Sequence, residues 1–441
     1  MTLCSGKRSV KTGEVSVPNT AATRFDELFL WMLEAPTLPR LVGTLRFVNN
    51  GVSLRYAQPW LEHGFPLSED LPLVDMEYLP RDKGTAVGAL DDAHPDQWGE
   101  RVLQFIDRPS RLSLMEYLYF AGDERFGAMS VSTSATEYLP RRVGPLPGLQ
   151  SAQLLSEIVA KINAKEAISD IERKLVTAGG SFGGAKPKAL IEIGGEQWLI
   201  KFFNNEPIDV PLVEHATMTL CAKADITVAE TQVIPLIGEN AIAVWRFDRK
   251  GTARIHCISA GTALKAAAPD TQPDLSYPAL AQLLRRLGPV TEDRNLREMA
   301  ELFRRMVFNI LVDNTDDHEK NHSLFVTPKA GEDVAERRVN RLSVTPAYDV
   351  VPTNSGQGRH EFGIGDDGRE ATLANAMSQC NLFGLSSAEA AAEVLRVIAV
   401  VDGWKQHFIA CGVTQADIQE LEQRIDGDDL FSQRRSFKVD E

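Results

Sequence analysis

The sequence predicts an α+β chain with a β-rich N-terminal subdomain, a smaller middle lobe and a helical C-terminal lobe. Three observations carry that reading. Strand-like runs flank the turn signal Asn49, Asn50, Gly51. A glycine-rich stretch at 179–184 opens onto a second pair of strand-like runs joined by Gly194 and Gly195. Beyond residue 277, apolar side chains recur at three- and four-residue spacing over long stretches. With 441 residues the chain is long enough for two or three domains, and its 43% hydrophobic and 24% charged fractions suit a globular protein.

Taken in order, residues 1–24 carry Lys7, Arg8 and Lys11 without an apolar signal-peptide core, and are expected to form a disordered tail. Residues 25–148 are expected to form the N-terminal subdomain, with strands over 42–47 and 52–56. A proline-rich linker from Pro140 to Pro147 closes it. Residues 149–250 form the small lobe. Helical periodicity over 149–164 and 169–177 leads into the glycine-rich stretch, then into strands over 189–193 and 197–203. Asp209 and Pro211 mark the start of a helix, as a cap and an early proline should. Strands over 226–237 and 241–247 follow. Residues 251–441 hold helices over 277–287, 297–313 and 387–410, a short strand over 324–326 and a charged, solvated loop over 329–341.

Composition excludes several function classes. A net charge of −14 repels nucleic acid phosphates, which disfavours direct DNA or RNA binding. Cys4, Cys221, Cys257, Cys380 and Cys411 are scattered, with no C-x-x-C spacing for zinc and an odd count for a disulfide framework. Together with the missing signal peptide, this suggests a reducing cytoplasm. No run reaches the length of a membrane span.

Chemistry concentrates in the polar island from Asn314 to His322, between a helical pattern and the apolar run Leu324, Phe325, Val326. Asp316 and Asn321 stand five residues apart, the spacing of the catalytic aspartate and metal-binding asparagine in protein kinases. Asp349, in the run Tyr348, Asp349, Val350, Val351, Pro352, offers a second metal carboxylate. Asn321, Asp349 and the phosphates of ATP would give Mg²⁺ its hard oxygen ligands. Upstream, Ser181 lies between two Gly-Gly pairs, where backbone N–H groups can wrap phosphate. Lys201, on the strand after that loop, suits the α- and β-phosphates, and Glu214 follows thirteen residues later, where a kinase carries the glutamate that fixes this lysine. Trp245, Arg246 and Phe247 then occupy the hinge position for adenine. His318 is an orienting or structural histidine, and Asp317 is expected to be an exposed neighbour. The nucleotide set is therefore Ser181, Phe182, Gly183, Gly184, Ala185, Lys186, Lys188, Lys201, Trp245, Arg246, Phe247, His318, Lys320, Asn321, Tyr348 and Asp349, with Asp316 as the catalytic base.

The joint order of these features resembles the HipA-type serine/threonine kinase toxins of bacterial toxin–antitoxin systems. Asn314, Thr315, Asp316, Asp317, His318, Asn321 and His322 carry the resemblance, with the run Tyr348 to Pro352 and the segment Leu90, Asp91, Asp92, Ala93, His94, Pro95, Asp96, Gln97, Trp98, Gly99. The resemblance implies a protein-kinase-like two-lobed fold and phosphorylation of a protein serine or threonine by ATP and Mg²⁺. It also implies autophosphorylation at Ser181, and a small helix-turn-helix antitoxin through which DNA is met only indirectly. Asn314 and Thr315 replace the His-Arg of ordinary kinases, and the phosphate loop is not G-x-G-x-x-G. Two alternatives stay open: an ATP-binding regulator acting through an antitoxin-like partner, and a small-molecule kinase.

Overall fold

A computed structural model of the chain describes residues 25–109, 111–141, 144–177, 186–203, 206–328, 340–353 and 357–438. The first sheet follows from its turn chemistry. Asn49 and Asn50 both take positive φ, 52° and 66°, the left-handed conformation a tight hairpin requires and asparagine tolerates. Strands β1 (Glu27–Met32), β2 (Arg40–Val48), β3 (Gly51–Tyr56), β4 (Glu77–Tyr78) and β5 (Met129–Ser132) form an antiparallel sheet ordered β4-β3-β2-β1-β5. Helices α1 (Gln58–His63), α2 (Gln97–Ile106) and α3 (Leu114–Phe120) accompany it.

The small lobe holds α4 (Ala152–Ala164), α5 (Asp170–Thr177), β6 (Lys188–Ile193), β7 (Glu196–Phe202), α6 (Val210–Lys223), β8 (Thr231–Pro235) and β9 (Asn240–Trp245), with the sheet ordered β6-β7-β9-β8. The large lobe begins with the short pair β10 (Arg249–Lys250) and β11 (Ala253–Arg254). It continues with a three-stranded sheet of β12 (Cys257–Ser259), β13 (Ser323–Pro328) and β14 (Asn340–Val344). Its helices are α7 (Ala260–Ala267), α8 (Tyr277–Leu287), α9 (Arg294–Leu311), α10 (Leu373–Ser378), α11 (Ser387–Val401), α12 (Trp404–Ala410), α13 (Gln415–Ile425) and α14 (Asp428–Ser436).

Two apolar cores organise these elements. One runs from the N-terminal sheet, through Leu28, Leu45 and Leu54, into the large lobe at Leu302, Phe303 and Met306. The other lies between the small-lobe sheet and α4, and α2 supplies Trp98, Val102 and Ile106 to it. Each such aliphatic side chain, fully buried, stabilises by about 1.5–3 kcal/mol. A helix from the N-terminal part thus completes the small lobe, and Trp98 Nε1 donates to the carbonyl of Lys188 at 2.8 Å.

Three expected boundaries differ. The helix expected over 387–410 is two, α11 and α12, because the chain breaks at Asp402 and Gly403 and Arg434 Nε reaches the Asp402 carboxylate at 3.1 Å. The strand expected from 226 starts at Thr231, because the residues before it pair with the large lobe: Ala229 N–H donates to Ala347 O and Ala347 N–H to Thr227 O, both at 2.8 Å. The proline-rich linker ends laid along a strand, with Pro147 O accepting from Glu192 N–H at 2.9 Å. The expected tail, 1–24, and most of the expected solvated loop, 329–339, lie outside the described residues.

Candidate active site

Lys201 is placed by strand register. It lies directly opposite Lys188 across the β6 and β7 pair, so both side chains share one face of the sheet. Helix α6 starts where Asp209 Oδ1 accepts from Leu212 N–H at 3.1 Å, and that start sets Glu214 against β7. Lys201 Nζ then donates to Glu214 Oε1 at 2.7 Å and to Asp349 Oδ1 at 2.6 Å. Burial opposes the charge of Lys201, but Asp349 and Glu214 outweigh it and hold its pKa above the ordinary lysine value. Burial likewise opposes the charge of Asp349, yet Lys201 and Lys188 hold it at about 2. Glu214 is pushed upward by burial against the pull of Lys201. Lys188 falls to about 8, first through burial and then through the neighbouring Lys201 charge. Asp349 sits at a positive φ of 60°, a conformation aspartate tolerates better than most residues. Although packed round by charges, its side chain is 44% exposed.

The second part of the site is the loop after α9. Asn321 N–H donates to His318 O at 2.9 Å, and Asn321 Nδ2 to Asp316 O at 3.2 Å. Lys320 N–H donates to His318 Nδ1 at 3.2 Å, and Tyr348 OH to Lys320 O at 2.7 Å. These bonds close a tight turn and leave the Asp316 side chain exposed at the rim. Partial burial raises its pKa, with His318 opposing and the charge of Asp349 adding to the rise. Tyr348, next to Asp349 in the chain, ties the loop to the Lys201 cluster through its bond to Lys320 O.

Asp317 corrects an expectation. It is 1% exposed, not an exposed neighbour. Its carboxylate accepts from Tyr277 OH at 2.5 Å and from His322 Nε2 at 2.9 Å, and lies 3.5 Å from His360 Nδ1. Its carbonyl accepts from Phe362 N–H at 2.9 Å. Burial works against its charge, but the two histidines outweigh it and hold it well below the usual carboxylate range. The alternation of charged residues in this loop gave no sign of which carboxylate turns inward. Tyr277 and His360 lie far away in sequence and carried no signal of their own.

The hinge is only partly as expected. Trp245 N–H is bonded to Glu230 O at 2.8 Å and Arg246 N–H to Gln197 O at 3.1 Å, so neither faces the cleft as a donor. The Arg246 guanidinium is buried in an ion cluster, with Nε donating to Asp248 Oδ1 at 2.9 Å. Phe247 packs against Phe325 and Tyr348, with ring centroids 5.9 and 5.6 Å away. Among the described residues nothing occupies its backbone groups. Lys186 is turned to Glu206 at 2.7 Å on the solvent side. Ser181, Phe182, Gly183, Gly184 and Ala185 lie outside the described residues.

Among the described residues no group of three or more His, Cys, Asp or Glu could hold a metal. Asn321 and Asp349 each carry a hard side-chain oxygen, the donor chemistry Mg²⁺ takes where phosphate oxygens complete its shell.

Sheet topology and helical lobe define a kinase-like α+β fold. Residues 37–132 match the HipA N-terminal domain, and residues 180–404, more than half of the chain, match the HipA-like C-terminal domain. The chain belongs to the HipA family. Its fold is similar to a chain of the Shewanella oneidensis MR-1 toxin–antitoxin complex of HipA, HipB and operator DNA, with TM-score 0.62 and 17% identity over 93% of this chain and 97% of that one. A remoter likeness, TM-score 0.40 and 12% identity over 58% of this chain and 95% of that one, is to the Helicobacter pylori proinflammatory kinase CtkA. Y4dM of Sinorhizobium fredii, named as a candidate kinase, is 31% identical over 172 residues; the match spans 36% of this chain and 38% of that relative.

Proposed function

We propose that the chain is an ATP-dependent protein kinase that phosphorylates a serine or threonine of a bacterial protein. The observation that carries this reading is the run Glu214, Lys201, Asp349, joined at 2.7 and 2.6 Å beside the loop of Asp316 and Asn321. In this reading residues 25–148 are the HipA N-terminal subdomain, 149–250 the small lobe and 251–441 the large lobe. Asp316, at the rim, orients the substrate hydroxyl and accepts its proton. Lys201, oriented by Glu214, and Lys188 on the same face meet the nucleotide phosphates. Asn321 and Asp349 hold Mg²⁺, which when bound neutralises charge developing on the transferred phosphoryl group. Phe247 borders the adenine.

The same reading assigns Ser181 as a site of self-phosphorylation. A phosphoserine there adds a charge of about −1.5 to −2, which competes with ATP for Lys188 and the loop N–H groups. Intact-mass analysis after incubation with ATP and Mg²⁺, then ATP titration of the modified form, tests it. No phosphate on Ser181, or undiminished affinity once it is modified, refutes it. The proposed setting is the cytoplasm, and the proposed partner is a small helix-turn-helix antitoxin, with DNA met only through it. No helix among the described residues is long and apolar enough to cross a membrane.

The experiment is incubation with labelled ATP, Mg²⁺ and a bacterial lysate. A labelled protein supports the reading. A labelled small molecule, or no label with ATP still bound, contradicts it.

A further inference from the structure

The segment of residues 90–99, conspicuous in the sequence, is not used by the mechanism above. In the structure it reaches three parts of the site. Trp98 Nε1 donates to the carbonyl of Lys188 on β6 at 2.8 Å. Asp92 accepts from Ser259 N–H and Ser259 Oγ, both at 2.7 Å. Ser259 is the cap of α7, and the first turn of α7 seats the catalytic loop from behind: Ala260 N–H donates to His322 O at 2.8 Å and Gly261 N–H to Glu319 O at 3.3 Å. A Cβ on Gly261 would come within 2.6 Å of Glu319 Cγ, so the approach is too close for a side chain. Asp96 Oδ1 meets Lys320 Nζ, on the loop itself, at 3.1 Å.

Asp96 is the telling residue. It occupies the N-cap position of α2, where an aspartate normally accepts from its own helix, yet its side chain makes no capping bond. The carboxylate is turned outward to the catalytic loop instead.

We infer that residues 92–98 of the N-terminal subdomain are a brace of the phosphotransfer site, in which Asp96 is a positioning residue acting on the catalytic loop through Lys320. The inference rests on the kinase reading for its effect on transfer, but not for its effect on the loop. The brace joins β6, which carries Lys188, to the loop that carries Asp316, so it sets how the phosphate-facing lysines stand relative to Asp316.

Two substitutions separate this role from helix capping. Asparagine caps as well as aspartate does, so Asp96→Asn removes only the charge, whereas Asp96→Glu keeps the charge and would harm the protein only if the side chain served as a cap. Hydrogen exchange of the peptide covering residues 316–323 is read in each full-length variant, alongside kcat and KM for ATP. The brace predicts that Asp96→Asn speeds exchange of that peptide about threefold and lowers kcat more than it raises KM. It predicts that Asp96→Glu largely restores both. It also predicts that Asp96→Asn combined with Lys320→Gln is no worse than Lys320→Gln alone. Wild-type exchange in Asp96→Asn, damage confined to Asp96→Glu, or effects that multiply in the double variant overturn it. If the chain transfers no phosphate, the kinase reading fails while the exchange result still decides the brace.

Discussion

Around Lys201 of β7, charged side chains converge: its ammonium meets Glu214 of α6 at 2.7 Å and Asp349, after β14, at 2.6 Å. Around Asp316 the chain is held by backbone turns and by the buried anchor at Asp317, while the charged side chain stays outside. The first region is held by Coulomb attraction in a low-dielectric setting, the second by geometry. The difference teaches that a substitution near Lys201 acts through charge balance, and one in the loop acts through where the backbone is put.

The largest expected effect is at Asp317. Asp317→Ala removes the acceptor shared by Tyr277 and His322 and leaves buried donors unpaired, so it should destabilise by about 3–5 kcal/mol. Chemical denaturation checks this, and a variant as stable as wild type would show that the anchor is dispensable. Next comes Lys201→Ala. It removes the cation shared by Glu214 and Asp349 and leaves them to the weaker pull of Lys188, so nucleotide binding or transfer should fall. Calorimetric titration with ATP and Mg²⁺ beside a transfer assay measures it, and wild-type values in both would make Lys201 an ordinary strand lysine.

The smallest effect is a pH dependence. Lys188, at about 8, is charged below that pH and neutral above it. A polyanion should therefore bind more weakly as pH rises through 8, by at most about tenfold per pH unit for one linked proton. Lys188→Met should flatten the profile. A wild-type profile that is flat from pH 7 to 9 would remove Lys188 from the phosphate contacts.

What the sequence disclosed followed the same division. Lys201, Glu214 and Asp349 stood out because their order matches the strand lysine, helix glutamate and metal carboxylate of kinases, and the structure joins them. The helix over Tyr277–Leu287 and the turn at Asn49 and Asn50 were legible because periodicity and turn chemistry are local. The inward turn of Asp317 was not, because it depends on Tyr277 and His360, brought in by long-range packing. Nor was the loss of the Trp245 and Arg246 donors, since strand runs do not reveal which neighbour takes each N–H. The role of residues 92–98 was hidden for the same reason: the segment stood out by resemblance alone, and the partner of Asp96, Lys320, lies far along the chain.

The central claim is that Asp316 handles the substrate hydroxyl while a separate charged cluster holds the nucleotide. Phosphate transfer from labelled ATP and Mg²⁺ by Asp316→Asn, set beside wild type with ATP binding measured on the same samples, tests it most directly. The account predicts unchanged ATP affinity and transfer lowered by roughly 10²–10⁴-fold, the usual worth of a positioned general base. Transfer at the wild-type rate by Asp316→Asn would contradict it.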